Sequence, residues 1–151
     1  MSLGWSNLTP EGKKYFKELE QLAKMEVQVG FQADSGSYEN GATLAEVAAY
    51  NELGTSSTPA RPFMRKSFEN HEKELQKACD QVNKTLAKGG TTQQALDELG
   101  AFVKGLVQEE IVSGDFAPNA ESTIAKKGSD KPLIDTGFMK QSVNYQVKQR
   151  S

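Results

Sequence analysis

Met25-Glu26-Val27-Gln28-Val29-Gly30-Phe31-Gln32 is a β-strand written among helices. Met25, Val27, Val29 and Phe31 alternate with Glu26, Gln28, Gly30 and Gln32, and a period of two places apolar side chains on one face of a strand. A second alternation, Val143, Tyr145 and Val147, closes the chain. Between and before them the apolar residues recur every three or four positions, which is the helical period. The pattern predicts an α+β fold. It is read as a single domain over 1–151, with an antiparallel or mixed sheet packed against two long helices plus shorter ones.

Working outward, Thr9-Pro10-Glu11 supplies an N-cap, a proline at the first helical position and an acid in the first turn. That helix is expected to reach about Lys24, with Tyr15, Phe16, Leu19, Leu22 and Ala23 on one face. Residues 33–42 are rich in Gly, Ser, Asn and Asp and predict a mobile loop. Thr43 and Glu46 form a capping box for a short helix carrying Leu44, Val47, Ala48 and Leu53. Gly54 suits the left-handed position that closes it. Pro59 and Pro62 fix φ and bias Thr58 and Arg61 toward extended geometry.

A long helix is expected from about Met64 to Lys88, with Met64, Phe68, His71, Leu75, Cys79, Val82 and Leu86 on one stripe. Gly89-Gly90 ends it. Thr91 or Thr92 caps another helix that turns Ala95, Leu96, Leu99, Phe102, Val103, Leu106, Val107 and Ile111 inward and stops near Gly114. Gly100 and Gly105 lie inside that helix, where they cost propensity and permit close approach of a neighbour. Residues 114–132 form the longest stretch without a periodic signal, and a compact domain seldom keeps such a loop without a use for it. Asp135-Thr136-Gly137 reads as a turn in which Asp135 caps and Gly137 takes a special backbone angle, followed by a short helical turn through Gln141.

A chain of 151 residues can bury a core without disulfides or metal. The net charge of −2 offers no global basic field for nucleic acid, and the single Cys suits a reducing compartment. No apolar run approaches the roughly 18 residues of a membrane span, and the first residues lack the apolar core of a secretory signal. The expected setting is the cytoplasm, or a particle assembled there. Charge is segregated: Glu26, Asp34, Glu39, Glu46 and Glu52 lie between Lys24 and Arg61 without an intervening base. From Pro118 onward Lys126, Lys127, Lys131, Lys140, Lys148 and Arg150 outnumber Glu121, Asp130 and Asp135. Such a division allows an acidic face on one copy to meet a basic face on the next.

The residues argue against an enzyme. His71 and Cys79 are the only residues of their kinds, and eight helical positions separate them by roughly 12 Å, beyond the reach of a nucleophile–base pair. Both fall on the apolar stripe and are read as core. A zinc site needs three or four Cys or His ligands. Phosphate-cradling and dinucleotide fingerprints are missing, and the pairs Asp97-Glu98 and Glu109-Glu110 are read as solvated. One rival remains. Leu133-Ile134-Asp135-Thr136-Gly137 resembles the signature of retroviral-type aspartic proteases, in which two such Asp share a proton, but too little chain follows Gly137 for flaps and a cleft. A small carboxylate-dependent hydrolase is the alternative kept open. The C-terminal positive charge is too sparse for sequence-specific nucleic-acid recognition, and no cofactor is expected.

Ala48-Ala49-Tyr50-Asn51-Glu52-Leu53-Gly54-Thr55, leading to Pro59-Ala60-Arg61-Pro62-Phe63-Met64-Arg65, resembles the central motif of small tail-completion and head–tail joining proteins of tailed bacteriophages and prophages. Ser122-Thr123-Ile124, Lys127-Gly128-Ser129, Pro132-Leu133-Ile134-Asp135-Thr136-Gly137 and Ser142-Val143 are similar to the closing motif of these virion morphogenesis proteins. Together the two segments cover about a third of the chain. Where the family usually carries an aromatic, this chain has Leu53.

The resemblance implies a non-enzymatic α+β subunit that forms a ring, often hexameric, at the tail end or in the neck. Its partners would be copies of itself and other tail or connector proteins, in the host cytoplasm during assembly and then in the virion. The interface candidates are Tyr50, Glu52, Arg61, Pro62, Phe63, Arg65, Lys127 and Lys131. Phe63 is the expected apolar anchor and Arg61 or Arg65 the charge partner, since interface energy concentrates in buried aromatics and Arg. Gly54, Asp135, Thr136 and Gly137 are expected to set turns and caps. Loops 33–42 and 114–132 are candidates for ordering on assembly.

Overall fold

The computed structural model describes residues 7–32, 36–37, 41, 43–57, 59–113 and 138–151. Among these, six helices accompany a two-stranded antiparallel sheet, the α+β class expected. In chain order they are α1 (Pro10–Leu22), β1 (Met25–Gly30), α2 (Leu44–Leu53), α3 (Phe63–Asn70), α4 (Glu72–Ala87), α5 (Thr92–Ser113), α6 (Phe138–Ser142) and β2 (Asn144–Gln149). β1 pairs with β2. The Arg150 N–H donates to the Lys24 carbonyl at 2.8 Å, and Lys148 pairs with Glu26 across the strands at 3.8 Å. The loop expected at 33–42 falls largely outside the described residues, as do the whole of 114–132 and the Asp135-Thr136-Gly137 turn.

The chain divides into two compact units, each built from several stretches of sequence. The first takes residues up to Gln28, Lys73–Phe102 and Tyr145 onward. Its core is Val82, Leu86 and Ala95, against which Tyr15, Leu19, Leu22 and Leu99 pack. Thr9 caps α1 as its sequence predicts, accepting from the Gly12 N–H at 3.0 Å. Phe16 and Ala23, expected inward, are exposed; α1 turns only Tyr15, Leu19 and Leu22 to the cluster. The Tyr15 hydroxyl donates to Asn83 Oδ1 at 2.5 Å, and the Lys14 ammonium donates to the Gly89 carbonyl.

The start of α5 is tied down from two directions. Thr91 accepts from the Gln94 N–H, while the Glu18 carboxylate accepts from the Thr92 N–H at 2.7 Å. A carboxylate at a helix N-terminus meets the free donors and the positive end of the dipole together. The bonds from Thr92 lower the pKa of Glu18 below the ordinary carboxylate value.

Gly100 also belongs to this unit. A Cβ placed there would lie 2.4 Å from the Tyr145 ring, so the missing side chain is what admits β2 against α5. Gly105, also inside α5, faces open space. The two glycines should therefore respond oppositely. Gly100→Ala is expected to cost about 1–2 kcal/mol, overpacking outweighing the gain in propensity. Gly105→Ala should add up to about 1 kcal/mol. Urea denaturation of both variants checks the signs.

The second unit takes Val29–Glu72 and Val103–Asn144. Its buried apolar residues include Leu44, Ala48, Phe63, Val107, Ile111, Met139 and Val143. The Thr43 capping box forms as written: Glu46 N–H donates to Thr43 Oγ1 at 3.2 Å and Thr43 N–H to Glu46 Oε2 at 3.0 Å. Glu110 departs from expectation. Read as solvated, it is buried and accepts from Asn70 Nδ2 at 3.1 Å.

The helix expected over 64–88 is broken at His71, where φ is −130° and ψ 30°. The cause is local. His71 Nδ1 lies 2.9 Å from the Ser67 carbonyl, the acceptor that the His71 N–H would use in a continuous helix. With the proton on Nδ1 the ring takes that carbonyl, and the N–H turns to Phe68 O at 3.4 Å. The buried positions also differ from the expected stripe. Phe68 and Cys79 are exposed, whereas Ser67, Val82, Thr85 and Leu86 are buried, so Cys79 is not the core residue its spacing suggests.

Candidate assembly surface

The segment from the end of α2 to the start of α3 is held by a chain of hydrogen bonds inside the second unit. Asn51 Nδ2 donates to the Val47 carbonyl at 2.9 Å. The Gly54 N–H reaches back to the Tyr50 carbonyl at 2.8 Å, with Gly54 at φ +76°, a backbone angle that only glycine adopts without strain. Beyond the connector, the Arg61 N–H donates to the Asn51 carbonyl at 2.5 Å, and its guanidinium meets Asn51 Oδ1 at 3.5 Å. Pro62 stands at the cap of α3 with φ −78° and offers no side-chain acceptor.

Glu52 supplies what Pro62 cannot. Its carboxylate accepts from the Met64 N–H at 2.9 Å and from the Arg65 N–H at 3.0 Å. The last turn of α2 thus caps α3 and ties the two helices together at this corner. Sequence reading placed Glu52 among interface residues and missed this role. The signal was available: no Ser, Thr, Asp or Asn stands directly before Phe63, so the free donors of α3 require an acceptor from elsewhere in the chain.

Phe63 corrects the expected outward anchor. It is 1% exposed and meets Phe31 edge-to-face, with ring centroids 6.0 Å apart. The first turn of α3 points it inward, and Ser67 Oγ donates to its carbonyl at 2.6 Å. Arg61 is half-buried, and burial lowers the pKa of its guanidinium. Arg65 is exposed and pairs with Glu69 at 3.6 Å, a carboxylate shared with Lys66 at 3.3 Å. Two large apolar side chains also face solvent. Tyr50 is 55% and Leu53 79% exposed, both on the last turn of α2.

Much of the acidic run is used within the chain. Glu46 and Glu52 cap helices, and Glu26 faces Lys148. Asp34 and Glu39 lie outside the described residues, as do Lys127, Lys131, Asp135, Thr136 and Gly137. Among the described residues, no group of three or more His, Cys, Asp or Glu is placed to hold a metal ion. No described helix is long and apolar enough to cross a membrane. No protein-family model, curated protein or solved structure matches this chain.

Proposed function

We propose that this chain is a non-enzymatic structural subunit that assembles with copies of itself into a ring at a phage tail end or head–tail junction. The observation that carries the proposal is the pairing of a hydrogen-bonded frame with exposed apolar side chains at one place. Glu52, Asn51 and Gly54 bind the end of α2 to the start of α3, while Tyr50 and Leu53 remain exposed beside them. An exposed apolar pair on a rigid frame loses little conformational entropy on docking, which favours association. This is also the segment whose residues resemble the central motif of tail-completion and joining proteins. With Phe63 in the core and Glu52 engaged as a cap, the contact is apolar and centred on Leu53 and Tyr50, with Arg65 at its rim.

On this proposal the subunit docks to its neighbour through two different surfaces, as closed rings require. It binds other tail or connector proteins through the faces the ring leaves open, in the host cytoplasm and later in the virion. Leu53→Asp is the test. It removes an exposed side chain, so the melting temperature should stay within the shift of a neutral surface change, about ±0.5 kcal/mol. Ring formation measured by sedimentation velocity should weaken at least tenfold, about 1.4 kcal/mol, and annular particles seen by electron microscopy for the unaltered chain should be lost. Rings that persist in the variant, or an unaltered chain that forms none, would overturn the proposal.

A further inference from the structure

In the first unit α4 and α5 form a hairpin around the Gly89-Gly90 turn. One side of the hairpin is covered by α1 through Tyr15, Leu19 and Leu22. Another side carries an open groove of about 410 Å³ whose floor is Ala78, Val82, Ala95 and Leu99. Phe102 stands at its end, 40% exposed. Glu74 and Lys77 on α4 and Glu98 on α5 form the rim. The Glu98 carboxylate is held in place by the Thr85 hydroxyl at 3.2 Å.

We infer that this groove is a two-fold contact between two copies of the chain, each inserting Phe102 over the Ala78/Ala95 floor of the other. Two features of the face choose a second copy over other occupants. The same surface offers a hollow, where Ala78 and Ala95 contribute only methyl groups, and an aromatic that fits a hollow. A patch holding both halves of a fit is what an isologous interface requires. The rim also carries both signs, so a two-fold axis that brings Lys77 to the partner's Glu74 and Glu98 pairs unlike charges in both directions. A ligand or partner of one charge sign would gain from part of this rim and lose on the rest. The contact uses helices of the first unit only and does not rest on the ring proposed above.

Charge exchange between two variants tests it. The full-length chain, Phe102→Ala, Lys77→Glu, and the double variant Glu74→Lys/Glu98→Lys are compared by sedimentation equilibrium, with circular dichroism showing that each is folded. The unaltered chain is expected to dimerise. Each variant alone should dimerise at least tenfold more weakly, and Lys77→Glu mixed with Glu74→Lys/Glu98→Lys should recover a heterodimer. Leu53→Asp should keep the dimer, which separates this contact from ring formation. The inference is overturned by a chain that stays monomeric at about 100 μM, a weak affinity for a specific contact. It is equally overturned by self-association that ignores all three groove variants, by variants that fail to combine, or by a monomer whose groove takes up an apolar dye instead.

Discussion

Phe63→Ala is expected to lower the free energy of unfolding by about 3–5 kcal/mol, the cost of emptying a buried aromatic site. Domains of this size hold only about 5–15 kcal/mol in reserve, so the variant should melt roughly 10 °C lower or more. The reason is the position of the ring, 1% exposed and set edge-on to Phe31 at 6.0 Å. Removing it leaves a void that α3 cannot shift to close, because its first turn is tied to α2 by Glu52. A thermal melt decides between the two roles this residue could have. An anchor for a partner would leave the melting temperature unchanged and abolish assembly; a core residue lowers stability whether or not a partner is present. Phe63→Leu, which keeps most of the apolar volume, should recover a large part of the loss.

Glu52→Ala is the second large effect. It leaves the Met64 and Arg65 N–H groups without their acceptor and removes a negative charge from the positive end of α3. Pro62 offers no replacement. The expected loss is about 2–3 kcal/mol, from the ranges for a lost cap and for hydrogen bonds to a charged group, or about 5–10 °C in melting temperature. Glu52→Gln keeps one acceptor oxygen and should retain about half of the lost stability. Amide exchange adds a local reading, since the Met64 and Arg65 amides should lose protection ahead of the α5 core. Unchanged exchange at those two amides would show that the capping bonds do not form in solution. A rise in mobility of the 54–62 connector would also weaken self-association through Tyr50 and Leu53, although neither residue is altered.

The parts of the fold legible in advance share one property: each depends on residues within a few positions of one another. The Thr9 cap with Pro10, the Thr43–Glu46 capping box, the glycine end of α2 and a strand beginning at Met25 are local arrangements that appear in the structure, although of the polar positions in β1 only Gln28 is exposed. The inward set of α5 was nearly complete, with Phe102 the main exception. The errors arose where a side-chain hydrogen bond, near or far along the chain, competes with the spacing pattern. The stripe over 64–88 has helical spacing throughout, yet His71 takes the Ser67 carbonyl and interrupts the helix. Glu110 is of a residue type that favours solvent, but it is buried and accepts a hydrogen bond from the exposed Asn70, forty positions away. Of the side chains singled out around the α2–α3 connector, the fold turns Phe63 in and half-buries Arg61, while Tyr50 and Arg65 stay exposed along with Leu53, which had not been chosen.

Helix caps and the start of the first strand follow from residue order alone, because their energetics are settled within a turn or a strand. Three things were decided only when distant segments met: the carboxylate of α2 on the backbone of α3, the Tyr145 ring over Gly100, and the direction in which Phe63 points. Each depends on whether a hydrogen-bond donor or an apolar surface finds a partner far along the chain. Spacing within one helix carries no record of that partner, since the same side chain is stable in solvent or in a core according to what the fold brings against it.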